Sequence, residues 1–311
     1  MSTSSPSEAP RRREPEALLR RLEWTALRRL DGLLQGDYRT LFRGFGLDLA
    51  DLREYQYGDD VRHIDWNVTA RLQTPYVREF HEDREITAWF LVDLSGSIDF
   101  GSHETKKQAV ATEFVALLAR LLTRRGNRVG ALLYGSSVDT VIPARSGRRH
   151  LLQILHRMQS RPAAPATGET KLAELLQAGA NAMSRRSVVF VVSDFISAPG
   201  WTKYLGQLAM RHEVVAVRLH DPLESELPDL GLLLFRDAET GEQLFVDTHD
   251  PKFRKRFAAA AAKREEALRT AFREAGVDAM ELSTEADLVE EISRFIELRR
   301  RRGRMGAKAA A

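Results

Sequence analysis

Apolar residues change their spacing along this chain, and each change marks an element. From Glu16 to about Leu34 they recur at Leu18, Leu19, Leu22, Leu27, Leu30 and Leu34, the stripe of one amphipathic helix with arginines on its other side. After Glu85 short β-rich runs alternate with helical periodicity. This predicts strands over 86–93, 128–134, 187–193, 213–219 and 277–282, and helices over about 104–125, 147–158, 170–184, 200–210, 251–275 and 285–300. Such alternation is the signal of a mostly parallel sheet covered by helices. LLLF at 232–235 and QLFV at 243–246 bracket AETGE and predict a hairpin with Gly241 in its turn, expected at a sheet edge. Between Asp37 and Glu85 turn signals such as YGDD and QTP flank a strand-like YVREF, so this stretch reads as a small irregular module.

Composition narrows the class. With 311 residues, 43% of them hydrophobic, the chain can bury a sizeable core. Its 47 basic and 44 acidic residues give a net charge of only +3, too little for a protein-wide nucleic-acid field. Six basic residues and no acid fall within 299–311, so a basic tail decorates a slightly acidic body. The absence of cysteine excludes disulfides, thiolate zinc sites and cysteine nucleophiles, leaving oxygen or imidazole ligands for any metal. The Pro/Ser-rich first fifteen residues read as a disordered leader, and the longest apolar runs are strand-sized. The expected organisation is a leader 1–15, a helix plus irregular module 16–85, an α/β domain 86–300 and a basic tail 301–311, without a membrane span and in the cytoplasm.

Candidate chemistry gathers at the strand ends. FLVDLSGSI places Asp93, Ser95 and Ser97 where the first sheet strand gives way to a loop, the end at which open parallel sheets bind ligands. Thr170 opens a predicted helix in TGETKLAELL, and Asp194 follows the strand VVFVVS. Taken singly, a Thr at a helix start is a cap and an Asp after a strand is a turn residue. Taken together, D-x-S-x-S, then Thr, then Asp is the order of a metal-ion-dependent adhesion site (MIDAS), and the arrangement resembles the von Willebrand factor A domain. That resemblance implies a doubly wound, Rossmann-like sheet and a Mg²⁺ or Mn²⁺ site formed by Asp93, Ser95, Ser97, Thr170 and Asp194. With hydroxyls supplying three of the five ligands, the metal keeps an electrophilic position for an outside carboxylate.

A second signature, LREYQYGDDVRHIDWNVTARLQTPYVREFHEDRE at 52–85, precedes that motif. Together they resemble the family called domain of unknown function 58, whose members commonly accompany MoxR-type AAA+ ATPases. Within the signature, Asp59, Asp60, His63 and Asp65 are interleaved with Arg53, Arg62 and Arg71. We read these as an Arg–Asp lattice locking the module around Tyr55 and Trp66, not as a second metal cluster. His150, His156, His212 and His220 lack zincin spacing and read as fillers, and neither a P-loop nor G-x-S-x-G occurs. The C-terminal RRRRGR reads as a solvated tail at the negative end of a helix dipole. The sequence therefore points to a non-enzymatic, metal-dependent protein-binding adaptor that partners a MoxR-type ATPase or a client protein through a carboxylate. Its alternatives are a metal-dependent phosphatase or nuclease, and a basic-tailed nucleic-acid or membrane-surface adaptor.

Overall fold

Val188–Ser193 is apolar at every position but its last, because helices cover both faces of the strand it forms. In the computed structural model, which describes residues 14–27, 29–30, 52–57, 59, 61, 64–78, 86–101, 105–160, 169–236 and 243–309, it lies in the middle of a six-stranded sheet. In chain order the strands are β1 (Leu52–Glu54), β2 (Tyr76–Arg78), β3 (Thr87–Asp93), β4 (Arg128–Tyr134), β5 (Val138–Arg145), β6 (Val188–Ser193), β7 (Glu213–His220), β8 (Leu232–Arg236), β9 (Gln243–Asp247) and β10 (Asp278–Ser283). The large sheet runs β10-β7-β6-β3-β4-β5, parallel throughout except for the antiparallel edge strand β5. The five strands expected from apolar runs are all present.

The helices are α1 (Pro15–Leu22), α2 (Trp66–Leu72), α3 (Lys107–Arg124), α4 (Arg148–Gln159), α5 (Leu172–Ala182), α6 (Trp201–Arg211), α7 (Pro251–Glu274) and α8 (Leu288–Ala309). On one face of the sheet, α3, α4 and α8 pack over Phe90, Val92, Phe190 and Val217. On the other, α5, α6 and α7 pack over Trp89, Leu91, Leu132 and Val191. Close approach is built in at Gly130, where a Cβ would meet the Trp89 ring of the neighbouring strand at 2.7 Å. Helix α1, which widens into a π turn at Glu23–Leu27, buries Leu18, Leu19, Leu22 and Leu27 in the same core cluster as α3 and α4. The N-terminal stripe is thus an extra layer of the sheet domain. Residues 1–13 of the leader and Leu34 lie outside the described residues, and Pro15, placed in the leader by the sequence, is the first residue of α1.

Three local expectations change. Strand β5 carries no apolar run to announce it, because its residues alternate between exposed and half-buried with Ile142 alone buried and it contains Pro143, features of an edge strand with an irregular register against β4. The β8–β9 hairpin is a separate two-stranded sheet, not an edge of the large one, and it exposes Leu232, Leu234 and Phe245. RRRRGR does not follow a helix but lies within α8, which runs to Ala309. Arg299 is no solvated residue: it is 5% exposed and pairs with Glu213 and Asp278.

In the signature module, β1 and β2 pair antiparallel and α2 lies between them in sequence. Asp60, Arg62, His63 and the Arg53 side chain lie outside the described residues. Trp66 is 69% exposed, so it is not buried at the centre of the module. Asp65 has a definite task as the N-cap of α2, accepting from Asn67 N at 3.0 Å and Val68 N at 3.2 Å. Asp65→Ala should therefore cost about 1 kcal/mol in chemical denaturation. Asp65→Asn, which caps as well without charge, should recover most of it. A loss equal to that of alanine would instead assign Asp65 to ion pairing.

Candidate metal centre

Strands β3 and β6 are neighbours, yet the chain leaves β3 toward β4 and leaves β6 toward β7, on opposite sides. Their carboxyl ends therefore splay at a topological switch point, where doubly wound sheets hold ligands. Asp93 ends β3 and Asp194 follows β6 directly. Ser95 and Ser97 sit on the short 3-10 turn Gly96–Asp99 after β3, and Thr170 lies just before α5. All five side-chain positions are buried, with Asp93 fully so.

Hydrogen bonds fix the first three. Asp93 Oδ1 accepts from Ser95 N at 2.9 Å, which closes the loop into an Asx-type turn. That turn brings Ser95 Oγ to 3.2 Å from Ser97 Oγ. Asp93 Oδ2 accepts from Ser193 Oγ at 2.7 Å, tying the end of β3 to the end of β6. Beside it, Asp194 Oδ1 accepts from Ile196 N at 3.0 Å. Between these two residues Phe195 takes a left-handed φ of 59°, uncommon for an aromatic residue. Packing holds it there, with Phe195 ring centroids 5.3 Å from Trp201 and 4.9 Å from Phe272. Thr170 joins the same loop through its carbonyl, which accepts from Ala198 N and Ser197 Oγ, each at 2.8 Å.

The electrostatics belong to a site that wants a cation. Burial, followed by repulsion from Asp194, pushes the Asp93 carboxyl up to about 6 against the lowering effect of its bonds from Ser95 and Ser193. A cation is already supplied by the chain, and nothing in the sequence motif announced it. Lys107, the first residue of α3, is 1% exposed and places Nζ 2.8 Å from Asp194 Oδ2 and 2.6 Å from Glu224 Oε1. Burial opposes its charged form, but attraction to Asp194 and Glu224 prevails and raises it above the ordinary lysine value. The only hint was position, since KK opens a helix whose other buried residues are mostly apolar. Its neighbour Lys106 makes an exposed pair with Asp99 instead.

The donor set fits a hard divalent ion. Adjacent ligands about 2.1 Å from an octahedral centre stand about 3.0 Å apart, close to the separation of the Ser95 and Ser97 hydroxyls. Asp93 and Asp194, both buried and near enough to repel one another, border those hydroxyls. Among the described residues no three His, Asp or Glu side chains converge as a metal cluster, so the hydroxyls are essential to this reading. His150 and His212 do not contribute: His150 Nε2 lies 2.8 Å from Val129 O, and His212 Nδ1 accepts from Ser187 N at 3.2 Å. Among the described residues no helix is long and apolar enough to cross a membrane.

Comparison with known proteins extends beyond this site. Proteins of Mycobacterium bovis and Mycobacterium tuberculosis, each described as uncharacterized, are 40% identical over 286 residues, covering 92% of this chain and 90% of theirs. An aerotolerance-related membrane protein of Bacteroides fragilis shares 12% identity at a TM-score of 0.46, over 69% of this chain and 98% of its own. The SpRpn10 VWA domain shares 14% at a TM-score of 0.38, over 68% of this chain and 94% of its own. The doubly wound architecture rests on strand order and register rather than on these distant likenesses. A family model described as protein of unknown function DUF58 matches residues 51–267, which include the signature module, Asp93, Ser95, Ser97, Thr170 and Asp194, and the chain belongs to that family.

Proposed function

We propose that this chain is a non-enzymatic protein-binding adaptor whose docking point is a Mg²⁺ or Mn²⁺ ion held by Asp93, Ser95, Ser97, Thr170 and Asp194. The observation that carries the reading is the pair of hydroxyls 3.2 Å apart beside two buried carboxylates at the sheet's switch point. A divalent ion held largely by neutral hydroxyls supplies an electrophilic position that an outside Asp or Glu can fill. The protein's own residues do the rest. The Asx turn orients Ser95, Ser193 holds Asp93, and the Phe195 anchor sets the direction of Asp194. Only two of the five proposed ligands are carboxylates, fewer than a phosphoryl-transfer or nuclease site uses to balance its metal, which favours binding over hydrolysis. The partner proposed from the family resemblance is a MoxR-type AAA+ ATPase or its client, and the place is the cytoplasm.

The test is capture of a purified MoxR-type ATPase with Mg²⁺ and with EDTA. Asp194→Ala should lower capture at least about tenfold with an unchanged circular dichroism spectrum, because removing an ionised partner of a metal contact costs more than one hydrogen bond. Capture indifferent to EDTA and to the substitution removes the metal as docking point. Metal-dependent turnover of a phosphoester, lost in Asp93→Ala, would restore the enzyme alternative.

A further inference from the structure

Lys107 is misplaced by every local rule. A cation at the first position of a helix opposes the helix dipole. An ammonium shut away from water costs several kcal/mol unless well paired. Its backbone N–H is bonded to Phe100 O at 2.9 Å, so helix geometry fixes where the side chain starts. Its ammonium lies 5.8 Å from the Phe100 ring centroid, with Asp194 and Glu224 as its ionic partners. Those two carboxylates differ in kind. Asp194 belongs to the candidate metal site. Glu224 belongs to a 3-10 turn after β7, where a capping box with Asp221 and a bond from Arg264 to its carbonyl hold it at the rim, 16% exposed.

We propose that Lys107 is a resident counter-ion that contests the divalent metal for Asp194, with Glu224 as its second seat. The inference rests on the metal-site reading above and adds its regulation. Asp194 Oδ1 is engaged by Ile196 N, and Oδ2 by the ammonium. Loading the metal therefore means weakening the Lys107–Asp194 bond, with the ammonium leaning on Glu224. Without metal, Asp93, Asp194, Glu224 and Lys107 sum to a net negative charge that repels a partner carboxylate; a divalent ion cancels that charge and offers the carboxylate an open position. Metal and partner then bind cooperatively: each raises the affinity for the other.

Titration calorimetry with Mg²⁺ and Mn²⁺ on the full chain, its Lys107→Met variant and its Glu224→Gln variant tests this. A unit charge a few ångströms from a divalent ion is worth at least a factor of about ten even at high dielectric, so Lys107→Met should bind metal about tenfold more tightly while melting lower in EDTA. Glu224→Gln removes the second seat and should bind metal several-fold more weakly. A purely structural lysine predicts loss of affinity in both variants. If the wild type and Lys107→Met bind metal equally, the inference fails and the metal reading stands. If neither binds, both fail. If only Lys107→Met binds, the counter-ion role holds and the metal-dependent adaptor reading of the native chain is lost. Should Lys107→Met not fold, the neutral polar Lys107→Gln takes its place: tighter metal binding than the wild type supports the proposal, and equal or weaker binding overturns it.

Discussion

Asp93→Asn should melt higher than the wild type in EDTA at neutral pH and yet lose its response to Mg²⁺. Asp93 is fully buried, and Asp194 adds repulsion. The asparagine keeps the carbonyl that accepts from Ser95 N, and Ser193 Oγ can turn to accept from its amide, so the Asx turn survives without the charge. The sign follows from linkage. A carboxyl with its folded value near 6 and its ordinary value at 3.8 binds its proton more tightly in the folded state. The stability this gives is complete below the ordinary value and is lost as pH rises through about 6, leaving a cost of roughly 3 kcal/mol at neutral pH and above. Relief of that cost should raise the melting temperature by roughly 5 °C at pH 7.5 and by little at pH 4. With Mg²⁺ at 100 times its dissociation constant, the wild type alone should gain about 2.7 kcal/mol. Thermal scans at both pH values, with and without metal, check the four-way pattern. An Asp93→Asn variant that is less stable in EDTA at pH 7.5 would mean that Asp93 is held mainly by its hydrogen bonds, as a structural residue.

What was legible in the sequence was whatever a single strand or helix decides for itself. The parallel strands announce themselves because burial on both faces demands an unbroken apolar run, as in β3 and β6. The proximity of Asp93, Ser95 and Ser97 was legible for the same reason, since two-residue spacing on a tight turn fixes their neighbourhood. Strand β5 hid because an edge strand with one solvent-facing side needs no such run. Lys107 hid for a deeper reason. Its partners are 87 and 117 residues away, and only the meeting of α3, β6 and the turn after β7 makes a charged residue belong in the interior. Ser193 illustrates the same limit, because its bond to Asp93 spans 100 residues across the strand pair. Capping was the part of the signature module that charge spacing did not announce: Asp65 stands among arginines in sequence, and it also accepts from the backbone of the helix it caps.

The arginine run at the C-terminus supplies the other large effect. Arg299→Met should cost about 3 kcal/mol or more and leave metal affinity untouched. From α8, Arg299 Nε donates to Asp278 Oδ2 and Nη2 to Glu213 Oε1, both at 2.8 Å, and its guanidinium lies 5.5 Å from the Phe295 ring centroid. Asp278 begins β10 and Glu213 begins β7, so one side chain ties two parallel strands and the final helix at the end of the sheet opposite the metal site. With the arginine removed, Glu213 at 8% side-chain exposure keeps a charge that water cannot reach, which is the costly half of a broken buried pair. Asp278 suffers less, being 26% exposed and also bonded to Arg302 at 3.0 Å. The apolar replacement preserves the stem's packing, so the loss reports the charge. Adding Glu213→Gln to Arg299→Met should recover much of it, because the buried carboxylate that lost its Arg299 partner is then neutral. Urea denaturation of the two variants, with calorimetry for Mg²⁺, separates the outcomes. A loss below about 0.5 kcal/mol would return Arg299 to the solvated tail, and a changed metal affinity would show that the two ends of the sheet are coupled.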